Sequence, residues 1–244
     1  MLVLLTLAGR RYGPALAGLL SALPVFAGPV LFILALEQGD AFAAQAAQGT
    51  LLAIVAVVVF SVTYAWMALF AGVALSLLAS FATYGLTLYV LQFVHLPLMQ
   101  VFVGILALLL CSQWVFPTVA VQQVVAPPGG VRDLLMRAVA GAALVVLVTN
   151  FASALGARMS GLFAMFPLMT TVLAGFSHHY SGSVFAITLL RGMVYGYFSF
   201  AVFCLLIAIC LPLYGLTVSF LIAVPGVIGT QLMARYFLTR RLRL

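Results

Sequence analysis

No stretch of this chain is polar enough and long enough to make a water-facing surface. Apolar runs of about 20 to 29 residues follow one another with hardly any linker, and only 5% of the 244 residues are charged. About a quarter of the residues of a soluble domain are charged. Runs of that length suit helices that cross the hydrocarbon core, whereas a transmembrane strand needs only about 10 alternating residues. The reading is therefore all-α: a polytopic transmembrane helix bundle whose first partner is the lipid bilayer.

The chain also repeats itself. At an offset of 143 positions, Gly13, Gly18, Leu19, Pro24, Gly39, Phe42, Ala43 and Gly49 fall on Gly156, Gly161, Leu162, Pro167, Gly182, Phe185, Ala186 and Gly192. Phe60, Gly72 and Ser76 then meet Phe203, Gly215 and Ser219. Most of these matches are glycine or proline, which hold a position for backbone reasons. Two copies of one membrane unit are a common construction for small transporters.

Apolar length and Gly/Pro punctuation predict a partial span at 1–9, then spans near 14–36, 40–68, 71–94 and 97–117. The second copy supplies 133–155, 157–180, 183–211 and 213–237. This makes about nine spans, the first one short: repeats at 1–96 and 132–244, joined through 97–131 by one extra helix and a Pro/Gly loop. The extra helix separates corresponding helices by five spans, an odd number, so the second copy is expected to be inverted. With nine crossings, eight arginines fall on one side and only Arg158 on the other, with Arg191 inside a span. Positive residues favour the cytoplasm, so the C-terminus is expected there, with Glu37, Asp40 and His95 outside and His178 and His179 inside.

Proline removes a helical hydrogen bond and displaces a carbonyl, so Pro24 and Pro167 are expected to break corresponding spans near the midplane. Broken helices at matched places in inverted halves mark a substrate site. Pro24, Gly28, Pro29, Pro167, Thr170 and Thr171 are the candidate lining, and the helix start after each break should offer free N–H groups to an anion. Arg191 lies roughly 12 Å along its helix from Ser183. An arginine at the bilayer centre costs roughly 2.5–3.5 kcal/mol, so it calls for a ligand, a carboxylate or water. The alternative is snorkelling to the interface. Gln48 is its counterpart in the first copy and joins the candidate substrate residues.

Glu37 is a candidate for proton coupling, although it and Asp40 also suit a helix end and a helix start. His178 and His179 are candidate gating residues, but adjacent histidines point apart and have no Cys, Asp or Glu beside them, so no metal is expected. Tyr64, Trp66, Trp114, Tyr195 and Tyr197 read as interface anchors or packing. Gly9, Gly13, Gly18, Gly192 and Gly196 have spacings that permit close helix contact. Cys111, Cys204 and Cys210 sit in apolar runs with no disulfide or metal spacing. All ten basic residues are arginine, giving a net charge of +7 without a basic face, which argues against nucleic acid. No catalytic motif or cofactor box is present, so neither an enzyme nor a cofactor is expected.

Ala17-Gly18-Leu19 followed by Pro24, the Gly39 turn and the stretch from Ala43 to Gly49 resemble the GlpM-like family of small four-span inner-membrane proteins. So do Ser160-Gly161-Leu162 through Phe166-Pro167 and on to Leu190-Arg191-Gly192. The resemblance covers roughly 60 residues of each half and implies a bacterial inner-membrane protein; the family has been linked by name to alginate production. This chain departs from it by fusing two units, a pairing that single units reach only by dimerising, and a homodimer is one open state for it. The expected function is a secondary transporter of a small anionic or polar metabolite, working by alternating access between the repeats. The alternative is a non-transporting inner-membrane subunit that assists envelope or exopolysaccharide assembly.

Overall fold

The computed structural model describes residues 11–24, 27–119, 135–136, 139–140, 142–143 and 166–242. The predicted span at 1–9, nearly all of that at 133–155, the first part of 157–180 and most of the Pro/Gly loop lie outside the described residues.

Every regular element among the described residues is a helix: α1 (Pro14–Ser21), α2 (Ala27–Gln38), α3 (Asp40–Met67), α4 (Val73–Leu91), α5 (Leu98–Val115) and α6 (Leu168–Leu242). Four of them, α3 to α6, are long and apolar enough to cross a membrane, which makes this a helical membrane protein. Nine crossings were expected; those at 1–9 and 133–155 fall wholly or almost wholly outside the described residues, and the remaining ones are divided differently among the helices. The span read at 14–36 is two short helices. The long run of α6 is interrupted at Gly182 and Gly215, and so carries three helical segments.

These interruptions are true reversals. The Phe203 and Phe220 rings lie 6.0 Å apart, and Ser199 donates to Gln231 Oε1 at 2.6 Å. In an unbroken helix residues 203 and 220 would be about 25 Å apart. The chain therefore doubles back at Gly215, as it does at Gly182, where the Thr170 and Tyr197 hydroxyls meet at 3.3 Å. Gly39 between α2 and α3 has φ 88° and ψ 164°, and Gly182 has φ 85° and ψ 169°. Only glycine adopts that conformation without strain. Elsewhere proline sets the boundaries: Pro14 opens α1, Pro97 precedes α5, and Pro117 follows the extended Phe116 at its end.

The core lies where α3 meets the 183–214 segment of α6. Phe60 and Tyr64 of α3 and Leu190 and Met193 of α6 are fully buried. α1 lies on the same segment at backbone distance. A Cβ at Gly18 would run into the Leu189 carbonyl, and one at Gly192 into the Ala15 carbonyl. Contact this close between transmembrane helices needs small residues. Outward faces are apolar, with Leu78 and Leu86 on α4 and Val103 and Leu110 on α5 exposed, as lipid contact requires.

Candidate functional site

The break expected at Pro24 is present, between α1 and α2; in the second copy Pro167 directly precedes the start of α6, and the residues before Phe166 lie outside the described ones. α1 ends at Ser21, and Gln231 Nε2 donates to the Leu19 carbonyl at 2.7 Å while Ser21 Oγ donates to the Gly18 carbonyl. Gln231 thereby pays the desolvation cost of a helix end inside the membrane. Beyond the break, the Gly28 N–H bonds the Pro24 carbonyl at 2.8 Å, and Pro29 has no N–H. At the start of α6 the N–H groups of Leu168 and Thr171 bond the Phe166 and Pro167 carbonyls.

The predicted residues fall into separate groups. Gly28 is buried against Phe203, whereas Pro29 is exposed on the outer face of α2. Glu37 is exposed at the end of α2, and Asp40 opens α3, with its carboxylate beside Gly215. Gln48 donates to the Leu96 carbonyl at 3.1 Å, just before α5. Arg191 donates to the Gln113 carbonyl at 3.0 Å, in the last turn of α5, with its guanidinium 5.9 Å from the Phe116 ring. Trp66 Nε1 donates to the Val115 carbonyl at 2.8 Å. Together Arg191 and Trp66 cap the C-terminal carbonyls of α5, and the positive charge complements the helix dipole there. His178 Nδ1 pairs with the Tyr64 hydroxyl at 3.2 Å, while His179 is exposed and packs on Tyr180.

One group gathers polar atoms with no visible use. After Pro167, the Thr170 hydroxyl pairs with that of Tyr197, and both side chains are buried. Thr171 and Tyr84 of α4 are also buried, and among the described residues neither hydroxyl has a hydrogen-bond partner. Tyr197 is the electrostatic neighbour of Tyr84. The Phe166 ring stacks on Phe81 at 5.4 Å and meets Tyr84 edge-on at 5.9 Å. The Gln113 amide, next to Arg191 at the end of α5, is likewise buried with no hydrogen-bond partner among the described residues.

Sequence reasoning missed Tyr84, Gln113 and Gln231, and it read Tyr197 as an anchor or packing. For the two tyrosines depth was the available signal: a tyrosine in mid-span belongs to the bundle interior, not to the aromatic belts. No group of three or more His, Cys, Asp or Glu among the described residues could hold a metal ion. No family model matches the chain, and no curated protein or solved structure does either.

Proposed function

We propose that the chain is a secondary transporter of a small polar metabolite, resident in the bacterial inner membrane with its C-terminus in the cytoplasm. Its two inverted repeats would rock about the breaks at Pro24 and Pro167.

The observation that carries this reading is a set of contacts that recur when the two copies are exchanged. Phe32 of α2 meets Phe220 of α6 at 5.3 Å. The positions 143 further on and 143 back are Gly175 and Leu77, and a Cβ at Gly175 would lie 3.8 Å from Leu77. Within their own helices, Ser76 donates to the Gly72 carbonyl as Ser219 does to that of Gly215, so the local geometry also matches. Reciprocal contacts of this kind are the signature of a two-fold relation. Contacts at the two ends of α5 favour one direction for it. Gln48 and Arg191 occupy equivalent positions, yet one bonds the backbone just before α5 and the other its last turn, about 25 Å apart along the helix axis. Equivalent groups at opposite depths support an axis in the membrane plane, and hence inversion.

The test is flux in proteoliposomes of the purified chain across a panel of small metabolites. Transport by the native protein, reduced at least tenfold in Pro167→Ala with an unchanged amount of folded protein, supports the reading. No flux of any solute, together with a partner recovered in stoichiometric amount from native membranes, would establish the subunit instead.

A further inference from the structure

The hydroxyl cluster behind Pro167 says more about the cargo than the breaks do. Thr171 and Tyr84 are more than nine-tenths buried, and each holds a hydroxyl without a partner among the described residues. In a bilayer such a group has a strong demand for a hydrogen bond. They lie, like the paired hydroxyls of Thr170 and Tyr197, on α4 and the first two segments of α6, which the Thr170–Tyr197 and Tyr84–Phe166 contacts bring together beside Pro167. Phe81 and Phe166 add apolar ring surface. The geometry offers several donor–acceptor groups beside aromatic walls.

We propose that this cluster is the cargo site, and that the cargo is a small uncharged polyhydroxylated solute; the inference rests on the transporter reading above. Among the described residues, charge is disfavoured from both sides. An anion would need a cation, but Arg191 bonds the end of α5 and lies six residues from Tyr197, on another face of the helix. His178 is engaged with Tyr64. A cation would need a carboxylate, but Glu37 is exposed at the Gly39 turn, and Asp40 begins α3 about 30 Å along the helix from Phe60, which packs on Tyr84. An ion in this setting would stay uncompensated. Hydroxyl groups both donate and accept, so a solute carrying several of them can satisfy Tyr84 and Thr171 together. Its C–H faces suit the phenylalanine rings.

The test is binding by the purified full chain, measured by calorimetry with uncharged polyols and monosaccharides alongside carboxylates and amines of similar size. Native protein should bind at least one uncharged member and none of the charged ones. Tyr84→Phe and Thr171→Val should each weaken that binding about 3- to 10-fold, as expected for one lost hydrogen bond, with thermal unfolding unchanged. Arg191→Lys should leave the affinity within twofold. Carboxylate or amine binding, no binding by any uncharged member, or an affinity untouched by both hydroxyl variants overturns the assignment. The two proposals can fail separately. Polyol binding that depends on Tyr84 without flux in proteoliposomes removes the transporter and keeps the site. Flux of an anion that depends on Arg191 does the reverse.

Discussion

At the scale of single residues, glycine does two different jobs in this molecule, and substitution separates them. Gly39 and Gly182 hold positive φ between helices, with open space where a Cβ would go. Gly39→Ala and Gly182→Ala should each cost about 1–2 kcal/mol through backbone strain alone. Gly85 lies within α4 in equally open space at ordinary φ. Gly85→Ala should be neutral or stabilising by up to about 1 kcal/mol. Gly192 is a packing glycine: Gly192→Ala forces a methyl into the Ala15 carbonyl and should cost about 1–3 kcal/mol by prising α1 from α6. Thermal unfolding of the purified variants reads all four. A Gly85→Ala loss as large as that of Gly182→Ala would refute the backbone argument. The Tyr84 and Thr171 hydroxyls belong to this scale too, since each is one atom that a conservative replacement removes.

At the scale of elements, α5 shows how the two halves are tied. Its C-terminal carbonyls are held by Arg191 of the second copy and Trp66 of the first. Arg191→Gln should therefore raise amide hydrogen exchange in the last turn of α5 and cost roughly 1.5–3 kcal/mol, the range for a charged hydrogen bond. Unchanged exchange there, with loosening confined to α6, would show that Arg191 is no cap. Helix limits were legible in the sequence because glycine and proline punctuate them: 40–68 was expected and Asp40–Met67 is found, 97–117 was expected and Leu98–Val115 is found. Helix faces were not legible. Lipid and core are both apolar, so α2 carries no polar stripe to show that Gly28 turns inward and Pro29 outward. The partners of Arg191 and Gln231 were beyond reach for another reason. They are carbonyls 78 and 212 residues away, brought close only by packing.

At the scale of the whole molecule, the proposed transporter depends on an inverted second repeat. Inverted halves around one site are a common basis for alternating access, and the opposite depths at which Gln48 and Arg191 meet α5 are the geometric argument for inversion here. Gln38 and Ser181 occupy equivalent positions, each one residue before a positive-φ glycine turn. With Cys111, Cys204 and Cys210 replaced by alanine, a single cysteine at either position can be challenged with a membrane-impermeant maleimide in intact cells and in inverted vesicles. Inversion predicts that Gln38→Cys reacts in cells and Ser181→Cys only in inverted vesicles. Reaction of both from the same side would contradict it.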